Sequence, residues 1–513
     1  MRTNVLTDRE YLGITIPFML STMTQPLMGA VNTAVMGQLP DPKYIAAVAL
    51  GAILFNNIYW FFGFLRVSTS GYAAQALGSG CREEGLLAFL RPLFVALIVG
   101  CGCIIFQKPI LTAYLALVAP AADVAELCAA YYNILIWGAP LVLFNYVSLG
   151  WLMGQTRVRA SVFMQVSSNV LNMILSMWFV FVLHFGIEGV AWATLLSQLY
   201  GAAVGCWLMY LYGKFDYKNL DYRTVVEPET LLKMLSVNAN LMIRTACLLT
   251  VNNVIAAAGA ALGTVVLAAN AVLFQLKDIM SFLVDGMANG ASIFSGRALG
   301  QKSSALFWQT LRMTYKWLFV LIVLLVVGFF FGSTFLINCF TDLQEVAVLA
   351  AAYRNYVLVY PVIAGLELAL YGMFTGATYT APIRNMMLIA LAVFWPVERV
   401  LVPLWGNDGL WISFLIFVGT QSLILFFSLK KLRKRSCLPG SCGRRYAYKE
   451  RRAPEWQHRP SPPTYRAWGS YNRGGWWAGQ CLPCVHPGTG SGGILPAIFP
   501  PPGSNPSGSD RFQ

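Results

Sequence analysis

Two carboxylates stand out in a stretch that is otherwise apolar. Asp278 and Asp285 are seven residues apart, which on a helix puts them on one face, about 10 Å apart along the axis. An aspartate at the centre of a bilayer-spanning helix costs about 2.5–3.5 kcal/mol on insertion scales, so it is expected to face a bundle interior or a wet cavity. There a carboxylate can take up and release a proton. Asp285, together with Asp278, is the candidate titratable coupling site. The alternative is a buried acid paired with Arg244 or Lys277 for packing. Lys277, as the direct neighbour of Asp278, is expected to point elsewhere. Asn172 and Ser176 are a second polar pair, four residues apart and therefore on one helix face.

Other chemistries lack their residues. No metal-spaced His/Glu pair, no Ser/His/Asp set and no phosphate-cradling GxxxxGK[ST] loop occurs, so neither an enzyme nor a nucleotide-driven pump is expected, and no cofactor. His184 sits beside a predicted outer loop and reads as solvated or capping. Cys481-Leu482-Pro483-Cys484 with His486 is one CxxC without a second pair, too little for a metal site. Cys81, Cys101, Cys103, Cys128, Cys206, Cys247 and Cys339 fall mostly in apolar runs and read as small apolar packing.

The elements that must hold these residues follow from composition. The chain has 513 residues, 57% hydrophobic and 11% charged, with a mean hydropathy of +0.60; soluble proteins carry about 25% charged residues. The deficit excludes a cytosolic enzyme, a nucleic-acid-binding domain and a disordered regulator, despite a net charge of +14. Basic residues cluster between apolar runs long enough to cross a bilayer, so the fold class is an all-α polytopic membrane protein. A barrel would alternate in polarity. The first apolar stretch, Tyr11 to Leu39, is too long for a cleavable signal.

Twelve transmembrane helices are read at roughly 11–37, 45–70, 90–113, 126–153, 160–184, 189–212, 234–258, 264–290, 306–332, 345–374, 385–404 and 409–429. Of the 27 Lys and Arg in residues 1–436, 20 fall at one set of helix ends and two, Lys43 and Lys108, in the opposite loops. That asymmetry puts both ends of the helical body in the cytoplasm.

The body repeats itself at a separation of 222 residues. Gly37 maps to Gly259, Ala46-Ala47 to Ala268-Ala269, and Ala76-Leu77-Gly78 to Ala298-Leu299-Gly300. An offset of 220 relates Gly186 and Gly189 to Gly406 and Gly409. Six spans per half make the halves parallel, with a pseudo-twofold axis along the membrane normal. The expected domains are a six-helix lobe at 1–213, a cytoplasmic linker at 214–233 and a second six-helix lobe at 234–436. A tail at 437–513 holds twelve Pro and twelve Gly. It is expected to be disordered, and can be read as read-through or frameshifted sequence.

Five segments carry a family resemblance: PLMGAVNTAVMGQL at 26–39, YWFFGFLRVSTSGYAAQALGSG at 59–80, NANLMIRT at 238–245, VDGMANGASIFSGRALG at 284–300, and the stretch 384–411, which begins RNMMLIALAVFWP and ends WGNDGLW. Together they resemble the multidrug and toxic compound extrusion (MATE) family, in its DinF-like branch, over about residues 8–432. The resemblance implies two six-helix lobes and export of organic compounds driven by proton or sodium entry. It makes Pro26 a hinge in the first helix. The family pattern around Asn32 is similar to VDTAV, with an aspartate implicated in ion coupling, and several relatives carry an acid at the place of Ser176. Asn172 matches a family asparagine. The first lobe thus keeps a polar cluster without acids; an amide oxygen can contact sodium or substrate but cannot titrate.

The expected function is a secondary antiporter of cationic or amphipathic compounds, a monomer in the cytoplasmic membrane. The candidate ion- or substrate-binding residues are Asn32, Asn172, Ser176, Asp278 and Asp285. Tyr131, Tyr146, Met153, Met164 and Met173 are candidates to line the cleft. Trp137, Trp151, Trp192, Trp405 and Trp411 read as interface anchors. Two alternatives stand: a lipid-linked precursor flippase, whose cationic cavity Arg66, Arg244, Arg354 and Lys277 would supply, and a non-transporting receptor or scaffold.

Overall fold

The computed structural model describes the backbone of residues 6–37, 42–118, 120–213, 222–341 and 343–436, and the side chains of all of these except 25–27, 30, 33, 34, 36, 37, 42–46, 49, 222, 223 and 433–436. The tail at 437–513, residues 214–221 of the linker and the side chain of Pro26 therefore lie outside the described residues. The described residues are helical throughout. The helices are α1 (Asp8–Gly37), α2 (Pro42–Phe62), α3 (Phe64–Ser79), α4 (Arg82–Ile105), α5 (Gln107–Val118), α6 (Ala122–Leu135), α7 (Ala139–Gly154), α8 (Val158–Phe181) and α9 (Gly186–Gly213). After the short α10 (Tyr222–Val225) come α11 (Pro228–Leu262), α12 (Thr264–Gly300), α13 (Ser304–Phe340), α14 (Gln344–Gly376), α15 (Ala381–Trp405) and α16 (Asn407–Ser436).

Helices satisfy their own backbone, which lipid cannot do, so long apolar runs fold this way. Eleven helical stretches among the described residues are long and apolar enough to cross a membrane. With α1, which has 30 residues, the total is twelve. Punctuation is local. Gly80 ends α3 with φ +70°, a left-handed cap that glycine adopts without strain. Ser303 opens α13 by accepting the Leu306 amide at 3.2 Å.

Several boundaries differ from expectation; the eighth and ninth spans, for example, run on to Gly300 and Phe340. The second span does not stop near residue 70: only Gly63 separates α2 from α3, which runs to Ser79. The third, expected at 90–113, is α4 from Arg82, followed by a break at Phe106 and the separate α5. Apolarity marks where a helix meets lipid, not where it begins. Glu83 and Glu84 in the first turn of α4 suit the positive end of its dipole.

The repeat is realised in three dimensions. A Cβ added to Gly150 would meet the carbonyl of Arg66, and one added to Gly372 would meet that of Ala288, 222 residues on. Gly154 approaches Ser70 in the same way as Gly376 approaches Ser292. The turns after α7 and α14 each carry a threonine at positive φ, Thr156 at 58° and Thr378 at 50°. Equivalent residues also meet one another. Gly78 lies against Gly300, and Gly296 against Ala74. On a twofold axis a residue touches its own counterpart, so the axis passes between the C-terminal ends of α3 and α12.

One apolar core runs through both halves, joining Leu65, Ala73, Leu152, Leu273, Phe294 and Met373, and a second lies in the first half around Val48, Tyr132 and Val190. Two of the five expected interface anchors are inside. Trp151 is 3% exposed and donates to the Gly85 carbonyl at 2.8 Å. Trp411 is 1% exposed and donates to Asn270 at 3.0 Å. A buried indole N–H needs an acceptor, and here the helical partners supply it. Trp137, Trp192 and Trp405 are exposed. Among the described cysteines, Cys101, Cys206 and Cys339 are exposed and Cys128 and Cys247 are buried, all as free thiols.

Candidate functional site

A cavity of about 200 Å³ lies on the axis, lined by side chains of α1, α2, α3 and α7 and, opposite them, of α11, α12 and α14. Its charged lining residues are Arg66, Arg244 and Asp285. Trp60, Phe64, Tyr146, Phe282 and Tyr371 give it aromatic walls, and Ser70, Ser292 and Thr375 line it where α3, α12 and α14 converge. Beyond those three the bundle is shut. Gly71 packs on the Thr375 carbonyl, Gly376 on Ser292, and Gly78 on Gly300. Such close backbone approaches are possible only because these positions lack a side chain.

Asp285 lies three turns before the Gly296–Gly300 contact on α12 and lines the cavity. Arg244, Arg66, Asp278 and Lys277 all act on it electrostatically, none at hydrogen-bonding distance. Arg244 does not neutralise it directly. The guanidinium sits 4.2 Å over the ring of Tyr371 and 3.9 Å from Glu367, itself 4% exposed. That distance is too long for a hydrogen bond, and Arg244 Nε and Glu367 Oε1 are buried without a hydrogen-bond partner.

Asp278 is not among the lining residues. Its carboxylate is 2.7 Å from Lys277 Nζ, so the expectation that these neighbours diverge is corrected. Lys277 is 8% exposed and boxed by Phe274, Tyr360 and Phe414, whose centroids lie 5.1–5.4 Å from Nζ. The ammonium turns toward the adjacent acid because that is the counter-charge the aromatic box leaves within reach.

In the first half Asn32 Nδ2 donates to Asn172 Oδ1 at 3.2 Å, and Asn172 Nδ2 donates to Thr194 at 3.0 Å. Asn172 and Ser176 are fully buried, and Asn32 Oδ1 and Ser176 Oγ have no hydrogen-bond partner. The structure thus brings Asn32 and Asn172 together from α1 and α8, apart from the cavity. In the second half, Asn270 and Asn407 exchange hydrogen bonds of 2.7 and 3.1 Å. The sequence offered no signal for that pair, since the partners are 137 residues apart. Of the side chains expected to line a cleft, Tyr146 and Met153 do. Tyr131 packs instead against Gly51 and Phe55, and Met164 against Gly205. Arg354 donates to Ser333 at 3.3 Å, away from the cavity.

The family model described as MatE matches the chain twice, at residues 17–178 and 241–398. The chain is 30% identical over 418 residues to the DNA damage-inducible protein F of Escherichia coli (strain K12), covering 82% of this chain and 91% of that protein. Among solved structures it is similar to one described as "Outward-facing conformation of a multidrug resistance MATE family transporter of the MOP superfamily" (TM-score 0.74, 19% identity, 84% of this chain and 97% of that one). A second is described as "Crystal structure of MATE in complex with MaD3S" (TM-score 0.76, 19% identity, 84% and 97%). A third is "Reverse polarity of binding pocket suggests different function of a MOP superfamily transporter from Pyrococcus furiosus Vc1 (DSM3638)" (TM-score 0.75, 19% identity, 85% and 98%). At these identities the likeness shows the fold.

Proposed function

Because the chain belongs to the MatE family of multi-pass membrane transporters, we propose that it exports amphipathic organic compounds across the cytoplasmic membrane by alternating access, in exchange for protons or sodium. The observation that carries this reading is the cavity: it lies on the axis relating the two halves and is shut at one end by close glycine contacts, among them Gly78 against its counterpart Gly300. Parting those contacts would open the cavity to the side on which the basic helix ends gather, read here as the cytoplasm. The boundary between two six-helix lobes at the 214–233 linker belongs to this proposal, as does a monomeric state. Export against a gradient needs energy: each tenfold concentration ratio costs about 1.4 kcal/mol. With no phosphate-cradling loop in the sequence, an ion gradient is the source we assign.

Asp285 is the assigned coupling residue, as the acid that lines the cavity; Asn32, Asn172 and Ser176 are assigned a supporting role through neutral oxygens. The test is efflux from proteoliposomes with a proton or a sodium gradient imposed alone. Asp285→Asn is expected to abolish gradient-driven export while leaving the protein folded. Undiminished gradient-dependent export by that variant removes Asp285 from the mechanism, and export with neither gradient removes the antiport reading.

A further inference from the structure

Of the two guanidinium groups of the cavity, that of Arg66 is not spent on the protein, and that of Arg244 is held by Glu367 and Tyr371 without a hydrogen bond to either. Arg66 is half-buried on α3 and lines the cavity. Among the described residues it meets no hydrogen-bond or ion-pair partner; Asp285 reaches it only through space. Arg244 keeps Nε unbonded and holds Glu367 no closer than 3.9 Å. Two carboxylates, Asp285 in the lining and Glu367 beside Arg244, face the two guanidinium groups, and Arg66 is the one without a paired acid. For Arg66, whose guanidinium has no paired carboxylate among the described residues, this position is unfavourable until an anion arrives. When one does, the planar fork can bind both oxygens of a carboxylate, phosphate or sulfonate. A cation entering the same space meets like charge.

We propose, resting on the transport reading above, that the substrates of this cavity are amphipathic organic acids. Arg66 is their direct anchor and Arg244 the second donor. Trp60, Phe64, Phe282 and Tyr146 receive the apolar body. Asp285 is then the internal competitor for the arginines rather than the hook for a cationic drug.

The test uses the full chain in nanodiscs of neutral phosphatidylcholine and a matched pair of probes: pyrene bearing a sulfonate and pyrene bearing a trimethylammonium group. Fluorescence anisotropy is expected to show the sulfonate bound at least about tenfold more tightly. Arg66→Gln is expected to remove that preference and Arg66→Lys to retain part of it, since an ammonium keeps the charge but loses the fork. Retained binding of the cationic probe by Arg66→Gln shows that the variant is folded. Equal or tighter binding of the cation by the parent protein overturns the proposal, as does unchanged sulfonate affinity in a folded Arg66→Gln. Phosphatidic acid added to the nanodiscs separates two sources of the acidic group: displacement of the sulfonate assigns the site to a lipid headgroup, and its absence to a water-borne acid. In proteoliposomes, transport of the cation alone overturns the proposal and leaves the transporter reading intact, whereas transport of neither probe by any gradient overturns the transporter reading.

Discussion

If the cavity is closed where Gly78 meets its counterpart Gly300, a single methyl group there should act as a wedge. A Cβ on Gly300 would collide with the carbonyl oxygen of Gln75 and lie 2.8 Å from Cα of Gly78. Both obstacles are backbone, so no side chain can swing aside, and the ends of α3 and α12 must part by roughly 1 Å to reach ordinary contact. Overpacking of this kind costs about 1–3 kcal/mol. All of it falls on the conformation in which the contact is made, so Gly300→Ala should shift the equilibrium toward opening at this end by about 5- to 150-fold. The assay is the rate at which an impermeant thiol reagent modifies Asn289→Cys, a cavity-lining position, in a variant with its other cysteines removed and in vesicles of each orientation. Modification from the basic end should accelerate within that range. Gly102→Ala, where an added Cβ meets nothing within 4 Å, should change nothing. A folded Gly300→Ala protein with unchanged rates from both sides would show that these glycines do not set the closure.

Asn32→Asp replaces a donor to buried Asn172 with a carboxylate. It should add a titrating group to the first half, so export measured against pH should gain a step that the parent lacks; superimposable profiles would contradict this. Asn270→Ala removes the partner of both Asn407 and the Trp411 indole. Stranding buried donors should destabilise the protein by about 1–3 kcal/mol, read as a lower unfolding temperature in detergent. An unchanged temperature would mean the network adds nothing to stability.

How much of this was legible beforehand depended on the range of the interaction. Span positions were visible because lipid selects apolar runs, and the 222-residue repeat was visible in Ala76-Leu77-Gly78 and its counterpart Ala298-Leu299-Gly300. That these two glycines touch was not visible, since a repeat does not say where its axis passes. Asp285 was singled out by its cost in lipid, and it does line the cavity. The same cost argument applied to Asp278 but misjudged it, because Lys277 folds back onto its own neighbour. Trp151 and Trp411 were misplaced for a related reason: abundance near a boundary says nothing about which way an indole faces. Tyr371, which carries Arg244 on its ring, gave no signal, as one tyrosine among 23.

The first helix is moored at two places to different parts of the molecule. Near its start, Asp8 receives hydrogen bonds from Lys316 at 2.9 Å and Trp317 at 2.8 Å, Glu10 pairs with Arg297 at 3.2 Å, and Tyr11 donates to Thr314 at 3.0 Å. Farther along, Ser21 reaches Gln165, Thr24 accepts from Asn169, and Asn32 holds Asn172. The stretch from Asp8 to Asn32 is about 36 Å of helix at 1.5 Å per residue. A rod tied to α12 and α13 from Asp8 as far as Thr22, which donates to the Phe282 carbonyl at 3.0 Å, and to α8 from Ser21 onward cannot remain straight and fully bonded while those supports swing apart. Either the tether at its start lets go, or the rod flexes between the two moorings. That flexure is how a displacement at one face of the membrane would be felt at the other.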